Sequence, residues 1–274
     1  MDALLLMLAN RPSTLANLFA FAVLATAERG ALRALLWLAT GTTLAWLSEA
    51  SSIRTGFPYG FYFYHSDAFV GEPSLGGVPL FASVSISCLT YFGYSAARAL
   101  LGAPFDSARV LWLAALLVTW LDVVMDPVTL AGRHWYLGDL YHYAADGLHF
   151  GVPLSNYAGW FLTAAAIMFV NQRLAAALEG VAPAGGFALP FRDLLGVTSQ
   201  LGTYVYMLGA ATYLAFLAEV PSDFPATGIF ATTVICSAAY AVFILAVANR
   251  YGSAEAFSAA ASTLRRRLFG SIAG

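Results

Sequence analysis

Apolar stretches recur seven times along the chain, at roughly 14–27, 34–52, 77–99, 108–125, 151–171, 196–218 and 227–249. Most approach the about 20 residues that an α-helix needs to cross a bilayer core of roughly 30 Å. The pattern therefore predicts an all-α polytopic membrane helix bundle of about seven transmembrane helices. No soluble domain or low-complexity linker interrupts it, so residues 1–274 read as a single integral membrane domain. Three longer connections remain, at about 53–76, 126–150 and 172–195. The first two are aromatic, whereas the third, with Pro183, Gly185, Gly186 and Pro190, has the composition of an ordinary turn-rich loop.

Composition supports the membrane assignment, with 60% hydrophobic and 10% charged residues, against about 25% charged in soluble domains. Every basic residue is an arginine. Without a lysine amine, a covalently bound retinal or a lysine-bound pyridoxal phosphate is excluded. On the seven-helix map Arg29, Arg33, Arg98, Arg109, Arg173, Arg192, Arg250, Arg265, Arg266 and Arg267 share one side, and only Arg11, Arg54 and Arg133 take the other. The positive-inside rule makes the first side cytoplasmic, in a multi-pass protein of a bacterial inner membrane with its C-terminus inside. Residues 252–274 then form a basic cytoplasmic tail, either solvated or lying on anionic lipid. Asp2 precedes the first apolar run with no basic residue, so no cleaved signal peptide is expected. Cys88 and Cys236 sit mid-helix and read as small buried hydrophobes. A net charge of -2 gives no reason to expect a nucleic-acid partner.

Gly77-Val78-Pro79-Leu80 opens the third apolar stretch and Gly151-Val152-Pro153-Leu154 the fifth. Each follows a helix that ends in carboxylates and then an aromatic loop. Both units run outward and return, which suggests a parallel internal repeat; the simpler account is that proline is well tolerated in a first helical turn.

The chemistry gathers at the outer end. Asp122 and Asp126 are four residues apart and share a helix face. Two carboxylates so placed repel, so one is expected to hold its proton, which is what a general acid requires. A central aspartate costs roughly 2.5–3.5 kcal/mol on insertion scales, which favours a functional role over a bond to a neighbouring helix. Glu49 lies at a similar depth, and Arg54, five residues on, is a candidate partner for these acids. From 57 to 64 six of eight residues are aromatic, fit either for an interfacial belt or for lining a long apolar ligand and stabilising positive charge on it. Trp135, Tyr136, Tyr141 and Tyr143 repeat the pattern in the second loop. Asn156 and Trp160 share a face early in the fifth helix, where the amide can bond a carboxylate or water. His65, His134, His142 and His149 all lie in the outer loops, without the helical spacing that makes a metal cluster persuasive, so no metal is assigned.

Thr55-Gly56-Phe57-Pro58-Tyr59-Gly60, the Asp122 to Pro127 segment and the run from Gly151 to Trp160 together resemble the membrane carotenoid biosynthesis family that includes CruF-type carotenoid 1,2-hydratases and bisanhydrobacterioruberin hydratase. The resemblance covers about residues 45–165. Ser83, Ser85 and Ser87 depart from it, standing where a more apolar or aromatic stretch is expected. The resemblance implies a cofactor-free hydro-lyase that adds water to the terminal 1,2 double bond of an acyclic carotenoid. Its partners would be the carotenoid, water and membrane lipid, with other carotenoid enzymes as neighbours. Under that reading the proton comes from Asp122 or Asp126. The cation is stabilised by Tyr59, Tyr62, Trp135 or Trp160, Glu49 with Asn156 positions water, and Arg54 belongs to the substrate site. A membrane carotenoid cyclase, a non-catalytic carotenoid or lipid binder, a small transporter and a metal oxygenase are the competing readings.

Overall fold

A computed structural model of the chain describes residues 2–179, 186 and 192–251; the tail at 252–274 and most of the third connection lie outside the described residues. Its helices are α1 Ala3–Asn10, α2 Pro12–Arg29, α3 Ala31–Thr55, α4 Leu80–Leu101, α5 Ala108–Leu130, α6 Leu154–Ala177, α7 Arg192–Thr198, α8 Leu201–Phe216 and α9 Ala226–Ala248. Among the described residues three of these, α4, α5 and α9, are long and apolar enough to cross a membrane. Six of the seven apolar stretches are single helices. The stretch expected at 196–218 is instead two, α7 and α8, with a break at Ser199 and Gln200. There the Ser199 hydroxyl donates to the Gly196 carbonyl (2.5 Å) and the Thr198 hydroxyl to that of Leu194 (2.8 Å). Side chains that bond the preceding turn in this way compete with helix continuation.

Helix α4 is the axis of the bundle. It packs against α2, α3, α5 and α7, and most of its side chains from Ile86 to Ala99 are buried. The three serines that looked out of place along it face other helices. Ser83 donates to Glu49, Ser85 shares a hydrogen bond with Thr14, and the Ser87 carbonyl accepts from the Trp37 indole. Outward faces carry Phe19, Leu35, Ile235 and Val242, all exposed, as expected for surfaces that meet lipid. Cys88 and Cys236 are buried and unpaired.

One end of the bundle is closed by polar bonds. Glu28, buried there, accepts from Tyr91 (2.7 Å), Ser95 (2.8 Å) and Arg98 (3.2 Å), and Arg98 also pairs with Asp193 at 2.8 Å. Trp37, Tyr91 and Phe21 meet edge to face beside them. Five side chains thus satisfy one another at this end.

At the other end the two aromatic loops pair. Strand β1 (Tyr62–Tyr64) runs antiparallel to β4 (Tyr141–Tyr143), with Tyr62 opposite Tyr143, Phe63 opposite His142 and Tyr64 opposite Tyr141. Short strands β2 (Ser74–Leu75) and β3 (Val78–Pro79) make a hairpin leading into α4. The two Gly-Val-Pro-Leu segments have closely similar backbones. Gly77 and Gly151 have φ of 87° and 90°, each valine is fully buried, and each proline is the residue before the helix.

Candidate active site

The site begins where α3 stops. Gly56 takes the left-handed conformation (φ 79°) and its N–H bonds the Ser52 carbonyl, closing the helix. The Ser52 hydroxyl then accepts from the Tyr59 N–H (2.9 Å), so the loop folds straight back and sends Tyr59 into the bundle. Its phenol donates to Thr163 of α6 at 2.8 Å, and Ser155 reaches the Tyr59 carbonyl. Gly159 permits this approach, because a Cβ there would collide with Tyr59 and the Pro58 backbone.

From there the two-residue alternation of a strand takes over. Tyr62 and Tyr64 point inward from β1 and Tyr141 and Tyr143 inward from β4, while Phe61 and Phe63 are exposed. The four rings meet edge to face at centroid distances of 5.4–6.0 Å. Together they roof a cavity of about 580 Å³. Burial pushes the phenols of Tyr62, Tyr64 and Tyr143 well above the ordinary tyrosine range, so they are neutral hydrogen-bond donors.

Beneath the roof stand three buried carboxyl groups, all lining the cavity. Glu49 accepts from Tyr64 (2.5 Å) at one oxygen and from Ser83 (2.6 Å) at the other. Asp126 accepts from Tyr141 at Oδ1 and from Tyr143 at Oδ2 (2.6 Å). The Asn156 amide bridges the aspartates, donating to Asp122 Oδ2 (2.7 Å) and Asp126 Oδ2 (2.9 Å). Asp122 Oδ1 is buried without a protein partner. Of the three acids it alone has an oxygen so placed, since both oxygens of the other two are engaged.

The residues expected at the site separate into two groups. Glu49, Asp122, Asp126, Tyr59, Tyr62, Asn156 and Trp160 line the cavity. Asn156 is joined to the aspartates rather than to Glu49. Arg54 and Trp135 do not line it. Arg54 donates to the Ala50 and Gly76 carbonyls, pinning the β2–β3 turn to the end of α3. Trp135 donates to the Val128 carbonyl and packs against Tyr136 and Tyr206, which do line the cavity. Ser83, Tyr64, Tyr141 and Tyr143 emerge as carboxyl partners only in three dimensions, although the alternation in Phe61-Tyr62-Phe63-Tyr64 and Tyr141-His142-Tyr143 was a readable sign of strands.

His65 Nε2 and His142 Nδ1 lie 3.0 Å apart on the exposed face of the strand pair. Among the described residues no group of three or more histidine, cysteine or acidic side chains is arranged to hold a metal. Away from the acids the lining is polar, with Thr14, Asn17, Ser85, Ser199 and Thr203, and includes Arg11, whose guanidinium pairs with Glu72.

The helical bundle, three of whose helices are long and apolar enough to cross a membrane, thus holds buried acids, phenols and electron-rich rings around one chamber. The chain matches the carotenoid biosynthesis protein family over residues 12–220, from the start of α2 past the end of α8, and it belongs to that family. It is 35% identical over 132 residues to a protein named bisanhydrobacterioruberin hydratase from Haloarcula japonica. That alignment covers 48% of this chain and 42% of the relative, so less than half of the relative's length is matched. No solved structure matches the chain.

Proposed function

We propose that the protein is a carotenoid 1,2-hydratase, adding water across the terminal double bond of an acyclic carotenoid without a cofactor. Family membership and the relative's name support the class of reaction, and the observation that carries the mechanism is that Asp122, which lines the cavity, has an Oδ1 with no protein partner. Protonated Asp122 gives its proton to the terminal alkene, leaving a tertiary carbocation. The rings of Tyr59, Tyr62 and Trp160 face that charge as electron-rich walls. Water attacks the cation, and the proton it sheds returns to the Asp122–Asp126 pair, so the product gains one water and the acids regain their starting state.

Asp126, with phenols at both oxygens and Asn156 at one, has the donors of a stabilised carboxylate. Glu49, held by Tyr64 and Ser83, positions the water, and the hydroxyl-lined wall of Thr14, Ser85 and Thr203 keeps a supply within the chamber. That wall favours hydration over cyclisation, in which water must be kept from the cation. Positioning and acid catalysis then divide the barrier, the latter supplying roughly 10²–10⁴-fold.

The same reading takes the chain seven times across the membrane, counting α7 and α8 as one crossing. The arginine distribution puts the acid end outside and the C-terminus in the cytoplasm. It also takes α3–α4 and α5–α6 as a parallel repeat. Supporting this, Glu49 is bonded by Tyr64 and Asp126 by Tyr141, each tyrosine 15 residues after its acid.

The test is expression in cells that make lycopene, followed by mass analysis of the extracted carotenoids. Products heavier by one or two waters are expected. A changed absorption spectrum with no change in mass would indicate a cyclase, and an unaltered carotenoid pool would remove the enzymatic reading.

A further inference from the structure

The cavity is shorter than its ligand, and its exposed lining says where the remainder goes. The lining runs from the tyrosine roof to Leu89 and to Ser199, which bonds Phe92 midway along α4, so the chamber ends partway down the bundle. An acyclic carotenoid is a chain roughly as long as a bilayer core is thick, about 30 Å. Only one end fits under the tyrosine roof. The rest of the chain needs an apolar exit below the membrane surface.

Two helices border the cavity without being each other's main packing partner. Helix α2 packs against α3 and α4, and α8 against α9 and α5, yet Ala16 and Ala20 of α2 and Gly202 of α8 line the chamber. All three are exposed, so the same residues face both the cavity and the outside. A Cβ built on Gly202 meets nothing within 4 Å. The break between α7 and α8 sets the depth, because the Ser199 hydroxyl reaches the carbonyl of Phe92, midway along α4. Irregular backbone at hydrocarbon depth is tolerated where it lines a cavity. Asp122, buried and lining that cavity, has an Oδ1 with no protein partner, which marks a ligand site independently of the small residues.

We propose that the gap between α2 and α8, floored by Ala16, Ala20 and Gly202, is a lateral portal through which one end of a long apolar polyene slides in from the lipid while the rest of the chain stays outside. This rests on the reading of the cavity as a carotenoid site. It makes Gly202 and its neighbours determinants of substrate shape, since anything thicker than a methyl-branched acyclic polyene meets the helix walls. It also makes the two ends of a symmetric substrate react one at a time, with release between them.

A matched pair of substitutions on one helix tests this. Gly202 and Gly209 are both exposed glycines of α8 with open space around them, and only Gly202 lines the cavity. The full chain is expressed in lycopene-making cells and purified in detergent. Carotenoid retained per protein is read from visible absorbance, and conversion from carotenoid mass. Gly202→Trp is expected to lower both at least tenfold and Gly209→Trp to leave both near wild type. Ala20→Trp, on the opposite jamb, should reproduce the loss, and it decides the matter should Gly202→Trp not elute as a monodisperse species. Retention and conversion near wild type in both Gly202→Trp and Ala20→Trp overturn the portal while leaving the hydratase reading intact. Wild-type protein that retains carotenoid through the portal but adds no water overturns the hydratase reading alone. A wild type that shows neither retention nor conversion overturns both.

Discussion

Replacing Asp122 by asparagine separates the proposed acid from the scaffold around it. The substitution is nearly isosteric, and Oδ2 of Asp122 accepts only from Asn156 (2.7 Å), a bond that an amide oxygen also accepts. The new NH₂ would occupy the place of Oδ1, which has no protein partner, so no existing hydrogen bond is broken. Stability should therefore change little, whereas the transferable proton is gone. Loss of general acid catalysis costs roughly 10²–10⁴ in rate, or about 2.7–5.5 kcal/mol of barrier. Asp126→Asn is the informative contrast. Both of its oxygens accept phenols, from Tyr141 and Tyr143. An NH₂ on either side meets a donor and must turn a tyrosine away, at a cost of about 1–3 kcal/mol of stability. The assay is conversion by mass in lycopene-making cells alongside thermal unfolding of the detergent-purified variants. Asp122→Asn should lose activity with an unchanged melting temperature, and Asp126→Asn should lose both. Conversion by Asp122→Asn within threefold of wild type would refute the assignment of the acid.

Other consequences follow from the same contacts. Gly159→Ala puts a Cβ against Tyr59 and the Pro58 backbone; it should lower the melting temperature, through a loss of stability typical of overpacking, about 1–3 kcal/mol, and reduce conversion, because the loop carrying Tyr62 and Tyr64 shifts with it. Glu28→Ala, at the closed end, strips three donors of their acceptor and should cost about 3–5 kcal/mol, as for a broken buried pair, while the conversion rate per folded molecule stays at the wild-type value. Burial raises the phenols of Tyr64 and Tyr143, so the stability they contribute is complete below the unfolded tyrosine value of about 10 and is lost as pH climbs above it. Tyr143→Phe should accordingly flatten the alkaline unfolding profile measured by circular dichroism between about pH 10 and 12.

What the sequence made visible and what it hid differ by the range of the interaction involved. Helix positions and the shared face of Asp122 and Asp126 follow from hydrophobic runs and a four-residue spacing, and both need only one helix to be recognised. The break at Ser199 was hidden because apolar residues continue through it; what ends α7 is a pair of hydroxyls bonding the preceding turn, and hydropathy does not register that. The pairing of β1 with β4 was hidden for a different reason. Its partners lie nearly 80 residues apart, and the aromatic content that marks them serves an interfacial belt equally well. Arg54 shows the opposite error: an arginine five residues from an acid suggests an ion pair, but its guanidinium donates to the Ala50 and Gly76 carbonyls instead.

These hidden contacts are the ones that distinguish three otherwise similar acids. On spacing alone Asp122 and Asp126 are interchangeable, and Glu49 is a third candidate. Once the strands pair, Tyr64 closes one oxygen of Glu49, and Tyr141 and Tyr143 close both of Asp126. On the proposed mechanism the roof, together with Ser83 and Asn156, thus also selects the reactive group, by occupying every oxygen of the three acids except one. A rearrangement of the loops that freed Asp126 would move the available proton by one helical turn, toward the roof and away from the portal. Loop sequence therefore has the means to decide where along a polyene the proton lands without any change to the acids themselves.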